Sequence, residues 1–552
     1  MLLLCSACSQ TPPIPALPGA ATATPIPSPV PPTATPLPRG GNLTIRAADD
    51  IPNLRPWQPR TRSEEQVVGL LYSGLMRLDA TLQPQLDLAS EWQATPDGRT
   101  ITFTLRSDLR WHDNTPLTSA DVAYTLTALN TISPTTALLS DLTRIEQVTT
   151  PTSTTVELTL NERYAPIFSV LTLPILPKHL LIDKAIDRFD FWDAPIGSGP
   201  FRLEERRASE SIVLAANPSF HRGAPLLDRV VFVVAPDPQI SSTALREQQL
   251  LVGELPWPAA APLRNGSLQQ GRYAENGYYF VAYNMRSGRP TADLRVRQAI
   301  QLSIDLPQLV QDVTAGTGQP IGNSAAPGSW ADLTPPLTST VDLARARLLL
   351  DEAGWKLEPG SQIRQQNGIT LTLQLFVRGD DPRRIQAAER VANAAQQIGI
   401  AITVEPSDFE TVIRSKYAPP YDFDLLLGSW SNGAADPLFA DYAYYDPDDF
   451  ALFHSSQINQ GTADTRPVLN IGGFRDPSYD NQAAAARQLY EVADRTKALA
   501  QAQTRVAELQ PYLFLWADTI PVIVNQRVTT LDGPVDLNSP MYLWNIERWY
   551  LN

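Results

Sequence analysis

The sequence predicts an α/β protein of at least two domains, and three observations carry that prediction. Its 552 residues exceed the roughly 250–300 residues that a single hydrophobic core serves. Helical and strand signals alternate along residues 342–406, as in a lobe whose helices cover a sheet. From Gly40 onward no short repeat and no low-complexity segment interrupts the pattern.

Taken in order, GGNLTIRAAD at 40–49 is a strand entered from a glycine turn. Residues 66–126 read as a buried helix, a strand pair and a helix opened by Thr118 and Asp121 as a capping box. TVELTL at 155–160 alternates like a half-buried strand. GSGPFRLEERRASESIVLAANPSF at 197–220 is a β-hairpin, with Gly197 and Gly199 in a tight turn before it. No helix follows those glycines, so they make no phosphate loop. LLDRVVFVV at 226–234 is a further strand, and an apolar strand from Tyr278 ends at Asn284. The next helix puts Val296, Ala299, Ile300, Ser303 and Ile304 on one face, and Asp305 caps its successor. A helix over 342–355 has Asp342 as N-cap and Gly354 as its stop. Strand 368–377, helix 383–399, strand 399–406 and strand 421–428 follow, the last leading into Trp430. Residues 480–510 are strongly helical, and 511–525 return as an apolar strand.

Composition excludes several kinds of function. Charged residues are 18% of the chain, the net charge is −14, and no run of Lys or Arg could follow a phosphate backbone, so nucleic acid is not a partner. Both cysteines, Cys5 and Cys8, lie at the extreme front, which leaves the body without a thiol nucleophile, a disulfide or a thiolate metal site. The four histidines, His112, His179, His221 and His454, are scattered without paired spacing, so no metal and no resident cofactor is expected. There is no GxSxG and no GxxxxGK[ST]; GTGQPIG at 316–322 opens no helix and reads as a loop. His112, in WHDN, reads as a turn histidine bonded to backbone, with Asn114 in left-handed geometry. Acidic pairs such as Asp448 and Asp449 are adjacent in sequence, a spacing that does not by itself make a catalytic dyad.

The front end reads as an address and a tether. Residues 1–8 form an apolar stub followed by Ser6, Ala7 and Cys8, the pattern of a lipoprotein signal with Cys8 as the lipidated residue. Residues 9–39 are a linker; between Thr11 and Pro38 it holds eleven prolines among Thr, Ala and Ser and carries no charge, the composition of an extended spacer.

YSGLMRLD at 72–79, LASEW at 88–92, FTLR at 103–106, WHD at 111–113 and LTSADVAYTL at 117–126, in this order and spacing, resemble the extracellular solute-binding proteins of family 5. These are the binding lipoproteins of oligopeptide, dipeptide and nickel ABC importers. The hairpin at 197–220 and the strand–Asn–helix block at 278–313 resemble the same family, with Ser198 in place of Thr and Phe220-His221 in place of Tyr-Trp. The resemblance implies a two-lobed periplasmic-binding-protein-like fold (type II, large peptide-binding class). Lobe I would take residues 40–285 and 510–552, with an extra subdomain inserted near 71–194, and lobe II residues 286–509. The chain would cross between lobes near 283–286 and 509–512.

The resemblance also implies a function. A monomer held to the membrane through its lipid anchor, outside the cytoplasm, would clamp a peptide or other small solute and deliver it to an ABC permease with separate ATPase subunits. An oligosaccharide or a nickel chelate is the alternative cargo, and an extracellular hydrolase with cleft carboxylates the alternative activity. GSWSNGAADP at 428–437 is the segment that would meet the ligand, through Trp430, Ser431, Asn432 and Asp436. Peptide-binding members carry an aspartate shortly after this tryptophan to grip the ligand's ammonium; here Gly433 stands at that position. Asp50 and Asn53, after the first strand, are further ligand-binding candidates.

Overall fold

The computed structural model describes residues 38–58, 61–132, 137–186, 190–263, 266–275, 277–333, 340–431, 447–459 and 469–552. The signal remnant with Cys8 and nearly all of the linker lie outside the described residues.

The first half of the main sheet is built from β1 (Asn42–Ala47), β2 (Arg229–Val234), β3 (Val252–Glu254) and β4 (Leu268–Ala274). β1 pairs in parallel with both β2 and β3, and the hairpin Phe201–Arg207/Ser211–Ala216 extends the β2 edge. Helix α1 (Arg62–Leu71) follows β1, capped by the Thr61 hydroxyl on the Glu64 N–H. The second half contains β5 (Gly277–Tyr283), β6 (Thr372–Arg378), helix α2 (Pro382–Gln396), β7 (Ala401–Ser407) and β8 (Leu425–Ser431). Strands β6, β7 and β8 are mutually parallel, while β5 runs antiparallel to β8.

One strand joins the halves. β9 (Tyr512–Asn525) pairs with β5 through Tyr512–Trp516 and with β3 and β4 through residues 519–525. Its fourteen residues are apolar almost throughout because both faces are covered in each half. The same reason explains Leu425, Leu426 and Leu427 in succession: the outer two pack with Val391 and Leu515, the middle one with Phe453 and Phe514.

A separate four-stranded antiparallel sheet, in the order Ala89–Ala94, Thr100–Leu105, Thr155–Leu160, Ile145–Thr152, lies within the range expected for the inserted subdomain. Its Phe103 and Leu158 share one core with Leu43 and Val230 of the main sheet.

Local signals in the sequence correspond to observed caps. The Thr118 N–H donates to Asp121 at 2.9 Å, Asp305 accepts from Gln308 N at 3.0 Å, and Asp342 from Arg345 N at 2.8 Å. Asn114 has φ 68°, as its turn requires. The His112 ring is bonded to backbone on both nitrogens: Gly197 N–H donates to Nδ1, and Nε2 lies 3.1 Å from the Gly199 carbonyl. Burial lowers its pKa to about 4, which holds the ring neutral as the Nε2–H tautomer.

One expected element is divided. The helix read over 480–510 is two helices, Pro477–Ala486 and Val492–Leu509. At the break the Arg487 carbonyl accepts from Ala165 N at 2.6 Å, and the Tyr490 hydroxyl donates to the Gly98 carbonyl at 2.6 Å. Contacts more than 300 residues distant in sequence outweigh helical propensity there.

Candidate functional site

The register of β9 determines where the two halves face each other. In the first half Glu254, the carboxyl end of β3, pairs with Val522, and Val252 with Val524, so β3 runs toward the middle of β9. In the second half Ser431, the carboxyl end of β8, pairs with Gly277, whose strand meets Trp516 through Tyr279. The carboxyl ends of β1, β2 and β3 and those of β6, β7 and β8 therefore converge on the stretch where β9 changes partners. Crevices outside the carboxyl ends of parallel strands are where α/β sheets bind ligands.

Buried arginines hold these strand ends. Arg46 donates to the Ala235 carbonyl at 3.0 Å, Pro236 at 3.1 Å and Glu254 at 2.7 Å, tying together the ends of three strands. Burial lowers its pKa, but multiple carbonyl acceptors compensate the charge. The Glu254 carboxylate accepts from Arg62 Nε at 3.2 Å and Gln66 Nε2 at 2.9 Å, which links β3 to α1. Across the junction Arg383, in the first turn of α2, grips Asp518 with two bonds of 2.9 and 3.0 Å and reaches the Tyr279 hydroxyl at 3.1 Å. Tyr279 stacks on Trp516 at 4.3 Å, and the Trp516 indole N–H donates to Asp518 at 3.1 Å.

Glu275 stands at the passage from β4 to β5. Its N–H donates to the Asp518 carbonyl at 2.7 Å, while its carboxylate takes no hydrogen bond from the described residues. Protein packed around it, then the negative charge of Asp518, raise the Glu275 pKa; its exposed side chain limits that shift. The junction thus carries an acidic set, Glu254, Glu275 and Asp518, of which Glu275 is the member open to a cationic group.

The residues predicted from sequence fall differently. Trp430 is 2% exposed: it stacks on Phe280 at 5.2 Å and meets the Tyr417 ring edge-on at 5.9 Å. It is the penultimate residue of β8, and its ring is buried among Phe280, Phe453 and Phe514, so it packs as core. The Ser431 backbone pairs with Gly277 at the convergent edge. Asn432, Gly433 and Asp436 lie outside the described residues. Asp50 stands after the carboxyl end of β1, but its carboxylate accepts from Ile51 N at 2.8 Å, Ser209 N at 3.2 Å and the Ser209 hydroxyl at 2.8 Å. The Asn53 amide bonds the Gln58 carbonyl at 2.6 Å and the Arg55 N–H at 3.0 Å. Both residues therefore brace the loop that follows β1.

Glu275, Arg383 and Asp518 were not read from the sequence. A weak signal was present: charges that interrupt apolar runs at strand ends, as in FLWAD at 514–518 and the Pro-Arg-Arg helix start at 382–384. Among the described residues no group of His, Cys, Asp or Glu could hold a metal ion, and no helix is long and apolar enough to cross a membrane.

Comparison with known proteins agrees with this architecture. The model of the bacterial extracellular solute-binding proteins, family 5 Middle, matches residues 83–451. Protein XP55 of Streptomyces lividans is 29% identical over 480 residues, covering 85% of this chain and 83% of XP55. The oligopeptide-binding protein AppA of Bacillus subtilis is 24% identical over 93% of this chain and 92% of its own length. The AppA structure with a nonapeptide aligns with a TM-score of 0.62, covering 93% of this chain and 99% of AppA. The unliganded open form of the periplasmic murein tripeptide-binding protein MppA aligns at 0.76, with 21% identity, over 92% of this chain and 97% of MppA. Such folds are two-lobed and mixed α/β, and family 5 proteins are binders that act outside the cytoplasm. This chain belongs to the bacterial extracellular solute-binding proteins of family 5.

Proposed function

We propose that the chain captures a peptide, or a small solute of similar polarity, and delivers it to an ABC permease whose ATPase subunits supply the energy. The observation that carries this reading is the convergence of two sets of strand ends on the middle of β9. Two half-sheets joined by so narrow a waist bend there more easily than within either half. We place the hinge where β9 passes from the strands of one half to those of the other, near Glu275 and Asp518, inward of the crossings at 283–286 and 509–512 read from the sequence. A ligand shifts the open–closed equilibrium only by its differential affinity for the closed form. The similarity to AppA, solved with a nonapeptide, favours peptide as cargo.

Native mass spectrometry of the purified protein identifies a co-purifying cargo, and small-angle scattering with and without it tests closure. The same scattering gives the mass, expected to be that of one chain. Profiles unchanged across peptide, oligosaccharide and nickel-chelate panels would refute the reading.

Glu275 is the group we assign to the ligand's cationic end. A carboxylate–ammonium bond at a partly exposed site is worth about 1.5 kcal/mol, roughly tenfold in affinity. Glu275→Gln is expected to weaken binding of a free-amino peptide about that much and to spare its N-acetylated form. Equal losses for both peptides would remove Glu275 from this role.

We assign the membrane tether to Cys8, with the proline-rich segment as spacer. Cys8→Ala is expected to move the expressed protein from the detergent phase to the aqueous phase on phase partitioning; unchanged partitioning would count against lipidation there.

A further inference from the structure

A cavity lies within the first half of the molecule beside α1, and two of its lining residues, Arg62 and Gln66, also bond the Glu254 carboxylate. It has a volume of about 320 Å³ and runs between one side of α1 and the C-terminal segment 540–546. That volume is at the lower end of the range for small-molecule sites, about 300–1,000 Å³. Its walls are largely apolar and include Leu70, Met76, Leu78, Met541, Leu543 and Trp544. Exposed Glu65 and Gly69 on α1 stand at its rim.

The polar groups in this cavity are unevenly matched. Arg222 pairs with two carboxylates, Nε lying 3.4 Å from Asp87 and Nη2 donating to Glu547 at 3.4 Å, while its Nε and Nη1 make no hydrogen bond among the described residues. Asp87 is in turn bonded to His221 Nε2 at 2.8 Å. Arg77 has no such partner. Its guanidinium lies over the Trp544 ring at 4.8 Å, and its Nε and Nη1 are buried with no hydrogen-bond partner among the described residues. Burial and the neighbouring charge of Arg222 lower its pKa, against the opposing charges of Asp87, Glu547 and Asp79, none of which bonds Nε or Nη1. A buried guanidinium with unused donors is costly unless an anion meets it, and its planar fork suits a carboxylate. The cation–π contact supports the ring face and leaves the in-plane N–H donors free.

We propose that this cavity is a second ligand site, which takes a small organic carboxylate with an apolar body, the carboxylate on Arg77 and the body against Trp544 and Met541. The assignment does not depend on the hinge reading, because cavity and cation both belong to one half of the molecule.

The test is titration of the full-length chain with 4-phenylbutyrate and with its neutral counterpart 4-phenylbutanol, followed by calorimetry and ligand-observed NMR. Saturable binding of the carboxylate is expected, at least tenfold tighter than the alcohol. Arg77→Met should weaken it at least tenfold. Because removal of a buried cation can also disturb folding, Gly69→Leu provides an independent variant. A Cβ at Gly69 meets no atom within 4 Å, and loss of a glycine from a helix interior favours the fold. That variant should keep or raise the melting temperature and abolish binding by filling the cavity. The proposal is overturned by absence of saturable binding, by equal affinity for the alcohol, or by unchanged binding in the Gly69→Leu protein.

Discussion

Gly197→Ala is expected to destabilise the protein by on the order of 4 kcal/mol, enough to remove most of it from the folded pool. A Cβ at Gly197 would stand 1.9 Å from the Leu71 carbonyl oxygen and 2.9 Å from its carbon, and one at Gly199 would stand 2.4 Å from the Leu70 oxygen. Those obstacles are backbone at the last turn of α1, which has no rotamer through which to yield. Ordinary overpacking by a methylene costs about 1–3 kcal/mol because side chains move aside. Here the segment before the hairpin must move instead, and three bonds resist that: Gly199 N to Leu71 O at 3.0 Å, His112 N to Gly197 O at 2.9 Å, and Gly197 N to the His112 ring at 3.1 Å. Gly266, with nothing within 4 Å of its Cβ, is the control. Urea denaturation should show Gly266→Ala near the wild-type midpoint and Gly197→Ala far below it. Coincident midpoints for the two variants would refute the close approach.

Asp449→Asn is expected to do the reverse, by an amount that grows as pH rises from about 4 to 7 and is constant above that. Asp448 and Asp449 are both buried, but the cations are on one side: Arg487 lies 3.1 Å and Arg495 3.6 Å from Asp448. Among the described residues Asp449 has the Ser324 hydroxyl and no cation. Burial, together with the charge of Asp448, pushes its pKa up to about 7 from an ordinary 3.8. Between those two values the folded state keeps a proton that the unfolded chain has released. Stability from this group is therefore complete below about pH 4 and lost as pH rises through 7, by on the order of 4 kcal/mol. Asparagine keeps the hydrogen bond to Ser324 without the charge, and it tolerates the φ of 55° found at this position. Denaturation should find variant and wild type equal near pH 4 and the variant distinctly more stable at pH 8.5. Equal stability at both pH values would show that Asp449 is not a buried, raised acid.

The parts of the fold legible in the sequence are those whose cause is local. Thr118 with Asp121, Asp305 and Asp342 each satisfy N–H groups two or three residues away, so their caps could be read without knowledge of any neighbour. The hairpin at 201–216 and the strand at 155–160 were equally readable, because an alternating pattern follows from one buried face. Gly197 was read as part of a tight turn, but the reason for glycine there is different: the carbonyls that forbid a side chain belong to a helix more than a hundred residues earlier. Trp430 illustrates the opposite failure. An aromatic at a strand end resembles a ligand wall, and only the layers over both faces of β8 show it to be core.

The chain alone determined the α/β class, the family and the succession of elements, since propensity, capping and hydrophobic period act over a few residues. The tertiary structure decided which charges meet at the junction, where Arg383 and Asp518 lie 135 residues apart, and which buried donors make no hydrogen bond among the described residues, as with Nε and Nη1 of Arg77. The reason is physical: charge compensation and burial depend on distance in space, and separation along the chain places almost no limit on that distance.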